Sequence, residues 1–282
     1  MPVAVVTDST ACLPPEAAQR RGVTVVPVQV AVNGVCGAEG VDVTAADIYR
    51  AFGERRVEMT TSRPAPGEFA RVYRRLLREG ASAVVSVHLS GKLSGTCEAA
   101  SLAADEFGDR VRVVDSESAG MGLGFAVLAA AAAARRKADA SQVVRRAERA
   151  ARATEIYFYV DTLEFLRRGG RIGVAGALLG TALSVKPILH VDDGQVKLLD
   201  KVRTSVRALS RMEDLVLAAA HDGPVDIAVH HLQAPQRAKE FAVRLGERLE
   251  DRLRDLHISE VGAVLAAHCG PGLLGAAVHR RG

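Results

Sequence analysis

Over roughly its first 150 residues the chain alternates short apolar runs with amphipathic stretches, and that alternation leaves few folds open. Residues 3–7 and 23–32 read as strands, and between them a short helix starts at Pro14-Pro15-Glu16 and stops at Gly22. Thr44 with Asp47 makes a capping arrangement for a helix through Phe52, and Phe69, Val72, Tyr73, Leu76 and Leu77 recur at the spacing of another helix. Strands follow at residues 83–87 and 111–114, then helices over residues 122–137 and 141–152. Strand and helix in turn predict a mostly parallel sheet with helices on both faces, and ligands of such sheets sit beyond the carboxyl ends of the strands.

After Arg152 the pattern changes. A strand is expected over residues 156–160, and Asp192-Asp193-Gly194 between two apolar runs predicts a hairpin, which a purely parallel sheet does not need. Two further strands, residues 225–230 and 261–267, flank a long helix over residues 235–253. At 282 residues the chain has room for two cores of ordinary size. The expectation is an α/β protein of two domains. Residues 1–154 form an N-terminal three-layer domain with a mostly parallel sheet, and residues 155–282 a C-terminal α/β domain with a mixed sheet.

Composition narrows function by exclusion. With 48% hydrophobic and 25% charged residues the chain is globular, and its longest bland apolar stretch, residues 125–134, is too short to cross a bilayer. The N-terminus enters a strand pattern without the basic and long apolar regions of a secretion signal, so a cytoplasmic protein with no integral membrane segment is expected. Cys12, Cys36, Cys97 and Cys269 form no C-x-x-C pair, and the adjacent His230 and His231 would point to opposite faces of a strand, so neither metal nor cofactor is expected. The net charge of +4 is spread over arginine pairs such as Arg74-Arg75, and 4% aromatic residues with no Trp offer little for bases to stack on. No nucleic-acid partner is expected.

Three loops carry the chemistry. Residues 90–96, SGKLSGT, lie between an apolar strand and a helix start, where Ser90, Ser94 and Thr96 bring hydroxyl donors to a helix N-terminus that attracts an anion. The other reading of Ser94 or Thr96 is a plain N-cap. Thr60, Thr61 and Ser62 set three hydroxyls ahead of Arg63-Pro64, either as ligand donors or as ordinary turn chemistry. His268, at the end of an apolar strand, puts an imidazole beside the flexible backbone of Gly270-Pro271-Gly272. A P-loop is excluded because Gly91-Lys92 is followed by Leu93, and no G-x-S-x-G nucleophile elbow occurs. Asp8 and Asp115, each followed by serine at a strand end, read as anchors for loop N–H groups. The alternative makes them, with His268, a small-molecule phosphotransferase or hydrolase site.

In order and spacing, VVTDST ending at Thr10, Thr61-Ser62, LSGT ending at Thr96, VVDSESAGMGLG from Val113, TLEFLRRGGRI from Thr162, KPIL from Lys186, KVR from Lys201 and HCGPG from His268 resemble the DegV family of fatty-acid-binding proteins. The resemblance covers nearly the whole chain. It implies a two-domain α/β carrier, itself no enzyme, with a long-chain fatty acid buried at the domain junction. It also implies an ATP-dependent fatty acid kinase as partner, which phosphorylates the bound carboxylate to an acyl phosphate for phospholipid synthesis. Carried over by position, Thr61, Ser62, Ser94 and His268 hold the carboxylate, Gly95 and Thr96 shape the loop, and Arg171 and Arg203 meet the kinase. Surface charge at a helix end or hairpin is the other reading of those arginines. Phe125, Ala126, Leu178, Leu179 and Leu183 are candidates for the apolar wall, or for plain core. Arg63 stands where the family usually has glutamine, Ala65 where it has serine, Cys97 where it has tyrosine and Cys269 where it has threonine, all changes near the head group.

Overall fold

The computed structural model describes residues 2–54, 58–173 and 185–281. Strand β1 (Val3–Asp8) leads through helix α1 (Pro15–Arg21) to β2 (Val23–Val26), which lies parallel to β1. The chain then leaves this sheet, because Pro27 has no N–H with which to continue a ladder. Strands β3 (Gln29–Val32), β4 (Val35–Ala38) and β5 (Met59–Ser62) form a separate three-stranded antiparallel sheet, with helix α2 (Ala45–Ala51) between β4 and β5. The single strand expected over residues 23–32 is therefore two strands in two sheets, and Thr60, Thr61 and Ser62 lie on β5 rather than in a turn. The cap of α2 is as read: Thr44 N–H donates to Asp47 Oδ2 at 2.8 Å and Asp47 N–H to Thr44 Oγ1 at 3.3 Å.

Helix α3 (Pro66–Arg78), β6 (Ala83–His88), α4 (Thr96–Ala104), β7 (Val111–Asp115), α5 (Met121–Arg135) and α6 (Ala140–Arg152) complete a parallel sheet of order β2-β1-β6-β7. Phe69 and Tyr73 of α3 and Ala99 of α4 pack on Val6 and Val84 on one face. Leu123 and Val127 of α5 and Val143 of α6 pack on Val5 and Val85 on the other, which makes the expected three layers.

The second half builds a mixed sheet. Its elements are β8 (Thr154–Tyr159), α7 (Glu164–Arg168), β9 (Lys186–Asp192), β10 (Gln195–Val202), α8 (Ser205–Ala220), β11 (Val225–His231), α9 (Pro235–Leu249), β12 (Leu253–Glu260), α10 (Ala263–Cys269) and β13 (Leu274–Arg280). The strand order is β10-β9-β8-β13-β11-β12, and the β11–β12 pair alone is parallel. The β9–β10 hairpin turns on Asp193 (φ 48°) and Gly194 (φ 67°), the left-handed pair that a tight hairpin matching the twist of its strands requires. Helices α8 and α9 cover one face, with Met212 and Phe241 against Ile188 and Ile227. Against the other lie α2, α10 and the small sheet, with Val30, Ile48 and Ala266 packed among Phe158 and Leu189. Residues from the first half of the chain thus complete the core of the second sheet.

Two expectations are corrected here. The long helix expected over residues 235–253 ends at Leu249, and residues 253–260, beyond it, are strand β12, which lies at the sheet edge and is only half covered, so it lacks a continuous apolar face. Residues 261–267, assigned to a strand, run instead into α10, a helix so enclosed that it shows no polar stripe, and His268 belongs to the last turn of that helix. Among the described residues no helix is long and apolar enough to cross a membrane.

Between β1 and β6 runs a buried polar chain. Asp8 Oδ2 accepts from His88 Nδ1 at 2.9 Å and from Leu89 N–H at 3.1 Å, and Asp8 Oδ1 accepts from Thr10 N–H at 3.0 Å and from the Thr10 hydroxyl. His88 Nε2 meets Ser86 Oγ at 2.7 Å, which accepts from Tyr73 OH at 2.8 Å. Asp8 thereby fixes Thr10 and Leu89 at the carboxyl ends of adjacent strands. Asp8→Ala would strand several buried donors at once and is expected to cost about 3–5 kcal/mol, against about 1 kcal/mol for Tyr73→Phe at the outer end of the chain. Equilibrium urea denaturation of the two variants checks the ranking, and equal losses would contradict it.

Candidate functional site

Beyond the end of β6 the backbone turns through residues 89–95 into α4. Ser90 is buried and holds the turn: its N–H donates to Ser118 O at 2.9 Å, its hydroxyl to Gly194 O at 2.7 Å, and its oxygen accepts from Lys92 N–H at 3.2 Å. Asp115 holds the same turn from β7, accepting Gly91 N–H at 2.9 Å and Glu117 N–H at 2.8 Å. Both aspartates therefore serve as the loop anchors that the sequence indicates. Ser94 Oγ lies 2.9 Å from Thr96 Oγ1 and accepts from Thr96 N–H at 3.3 Å, while the N-cap residue proper, Gly95, gives α4 no side-chain cap. Arg63, paired with Glu98, lies so close over Gly95 that a Cβ there would sit 2.7 Å from its guanidinium.

Opposite this loop stands the end of α10. Glu39, buried after β4, accepts Val264 N–H at 2.7 Å in the first turn of the helix, and the Ser9 hydroxyl donates to the same carboxylate. Burial raises the pKa of Glu39 above the ordinary carboxylate value. At the far end of α10, His268 Nε2 meets Thr61 Oγ1 of β5 at 2.8 Å. Burial, reinforced by the nearby Arg171 charge, pushes His268 down to about 4, so near neutral pH the ring is uncharged and exchanges hydrogen bonds, not charge, with its surroundings. Arg171 is itself committed, its Nε donating to Leu93 O at 2.9 Å and its Nη1 to Gly169 O.

These groups converge on one cavity of about 350 Å³, within the range of small-ligand pockets. Thr61, Ser62, Ser94, Gly95, His268 and Arg171 all line it, together with Arg63 and Cys269. Burial holds the Cys269 thiol up at about 12, so it is a neutral wall residue. The rest of the lining is largely apolar, from Leu89, Leu93, Ile156, Phe158, Val191 and Leu273 among others. Thr96 is fully buried behind Ser94 and does not face the cavity, and Arg203 is exposed between β10 and α8, away from it. Phe125 and Ala126 pack in the core of α5 instead of in the lining, and Leu178, Leu179 and Leu183 lie outside the described residues.

Nothing gathers Asp8, Asp115 and His268 into one reactive cluster. Asp8 is bonded to His88, Thr10 and Leu89, Asp115 to two backbone N–H groups, and His268 to Thr61. Among the described residues no group of His, Cys, Asp or Glu is arranged to hold a metal ion. Several wall residues went unread in the sequence. Ile156 and Phe158 alternate along β8 and so share a face, a readable signal. Thr10, Gly120 and His230 arrive from separate elements and carry no local signature.

The sequence profile described as "Uncharacterised protein, DegV family" matches residues 2–281. A DegV domain-containing protein of Streptomyces coelicolor is 50% identical over 279 residues, covering 99% of each chain. Among solved structures, the chain is similar to the fatty-acid-binding DegV family protein of Thermus thermophilus, with a TM-score of 0.92, 36% identity and complete coverage of both chains. It is also similar to DegV, a fatty acid binding protein from Bacillus subtilis, with a TM-score of 0.90, 32% identity and the same coverage. The chain belongs to the DegV family.

Proposed function

We propose that this chain binds a long-chain fatty acid, with the alkyl tail in the apolar part of the cavity and the carboxylate at Thr61, Ser62, Ser94 and His268. The observation that carries this reading is the segregation of the cavity wall, most of whose polar groups converge around the Thr61–His268 pair while apolar side chains make up most of the rest. Burial of each methylene stabilises by about 0.8 kcal/mol, so a tail of about 16 carbons contributes on the order of 10 kcal/mol, against roughly 1 kcal/mol for a net hydrogen bond at the head. The tail supplies affinity and the head supplies orientation. The relatives from Thermus thermophilus and Bacillus subtilis, both fatty-acid-binding, support the same ligand class.

On this reading the ligand lies where an N-terminal domain, residues 1–154, meets a C-terminal domain, residues 155–282, and the chain presents its carboxylate to a cytoplasmic ATP-dependent kinase instead of reacting with it. Arg171 beside the head-group cluster and the exposed Arg203 are the residues assigned to the kinase. Arg203 is exposed and has no hydrogen bond or ion pair among the described residues. In-line phosphoryl transfer needs an acceptor oxygen held still, which the hydroxyls and imidazole provide.

Native mass spectrometry of the freshly purified protein tests the ligand. One retained fatty-acid mass is expected. The Thr61→Ala/Ser94→Ala double variant should bind roughly 30-fold more weakly and lose the adduct. Protein that never carries a fatty acid, and binds none when offered it, sinks the reading.

A second expectation follows from His268. Its folded-state pKa of about 4 lies below the ordinary value of 6.5, so between these values the unfolded chain takes up a proton that the folded chain refuses. This contribution to stability is fully present above pH 6.5 and is lost as pH falls toward about 4. Denaturation measured across that window should show a shallower pH slope for His268→Gln than for the wild type, and parallel slopes would refute the assignment.

A further inference from the structure

Not every polar wall residue has a part in the head group. His230 of β11 is buried and lines the cavity, yet both of its ring nitrogens are engaged by protein: Nε2 lies 2.9 Å from Met121 N–H and Nδ1 lies 3.1 Å from Ser259 Oγ. A backbone N–H can only donate, so Nε2 is the acceptor, and the proton of the neutral ring sits on Nδ1, directed at Ser259. Burial keeps the ring neutral, pushing it down to about 4. His230 thus caps α5, which has no side-chain cap of its own, and leaves no N–H free for a ligand. Toward the cavity it presents bulk.

Sheet register shows where that bulk lies. Val196 faces Val191, Val191 faces Ile156, Phe158 faces Gly275, and Gly275 faces His230. The cavity floor therefore crosses the sheet from β10 to β11, four inter-strand steps or about 19 Å. The head-group cluster belongs to the β10 side. Arg171 is followed closely by Gly173, which lies so near β10 that a Cβ there would sit 2.4 Å from Val196 O, and the Arg171 side chain bonds to Leu93 O in the Ser94 loop. His230 stands at the opposite side, beside Gly120 and Leu265: a Cβ on Gly120 would lie 3.2 Å from His230 Nε2 and 3.8 Å from Leu265 Cδ1.

We propose that His230 is a specificity-determining residue that closes the cavity at its β11 side and so sets the length of alkyl chain the protein accepts. The inference rests on the fatty-acid reading given above. Each buried methylene is worth roughly a fourfold change in affinity, so a wall that denies space to the last methylenes discriminates by that factor for each. Gly275 is its complement. A Cβ there would sit 3.2 Å from Phe158 Cβ and 3.8 Å from His230 Cβ, on the cavity side of β13, and would take up space just before the wall.

The test is competition binding of a homologous series of saturated fatty acids to the full-length wild type, His230→Ala and Gly275→Ala, with a displaced fluorescent fatty acid as readout. His230→Ala is expected to move the tightest-binding length upward, the longer homologues gaining roughly fourfold per methylene, and Gly275→Ala to move it downward. An unchanged length optimum in both variants, with fatty acids still bound, overturns the assignment of His230. A wild type that binds no member of the series overturns the fatty-acid reading itself, and the inference with it. Should His230→Ala fail to fold for want of an acceptor at Met121, Gly275→Ala decides the matter: an unchanged length optimum in that variant, with fatty acids still bound, overturns the assignment.

Discussion

The place of His268 depends on a carboxylate buried at the other end of its helix. Helix α10 has seven residues and no N-cap side chain from its own sequence, too little to hold itself in a fixed pose. Glu39 supplies the missing acceptor at Val264, and Thr61 meets the last turn through His268. Both come from the region of the small antiparallel sheet, whose strands leave the main parallel sheet at Pro27. Ser9, just past β1, donates to Glu39 and accepts Val28 N–H at 2.9 Å, so all three sheets meet around one carboxylate. Burial of Glu39 is unfavourable in isolation, and these donors are what offset it.

This seam also explains why a cavity survives inside a packed protein. Interiors normally close to crystal-like density, and an unfilled apolar volume is destabilising. Here the floor is one sheet, the roof is made by loops from the carboxyl ends of another, and α10 is held off the floor at both of its ends. None of these parts can collapse inward without breaking buried hydrogen bonds at Asp8, Ser90 or Glu39. On the fatty-acid reading, an alkyl chain supplies the apolar atoms that the fold itself leaves out, so ligand and core packing are energetically one problem.

Legibility in the sequence followed burial. The parallel sheet was readable because its strands and helices repeat with clear period, and the hairpin at Gly194 because few residues other than Asp-Gly fit its left-handed turn. The small sheet was missed although Asn33-Gly34 is an equally clear hairpin signal, since the apolar run over residues 23–32 masks the break at Pro27. Strand β12 goes unread and helix α10 reads as a strand for opposite reasons: an edge strand is too exposed to show its period, and a largely enclosed helix too apolar to show its own. Loop chemistry and family resemblance single out Thr61, Ser62, Ser94 and His268, which the fold brings to one cavity, but the turn expected at Thr61 is strand β5 and the strand expected at His268 is the last turn of α10. The place of His230 in the cavity wall has no local signature, because it depends on cross-strand register with Gly275 and Phe158.

The charges around the head group are already spent within the protein. Arg63 is paired with Glu98, Arg171 donates to two backbone carbonyls, and Lys92 lies against Asp193 at 2.9 Å. What remains for a ligand carboxylate is neutral: the alcohols of Thr61, Ser62 and Ser94, and an imidazole that burial keeps uncharged. On the proposed reading, neutral donors orient a carboxylate without locking it into an ion pair, which would draw electron density from an oxygen meant to accept a phosphoryl group. Such a site would suit a chain that holds an acid by its tail and leaves the head reactive. It follows that polar substitutions at the head should alter orientation more than the range of acids bound, whereas changes along the apolar floor should alter the range itself.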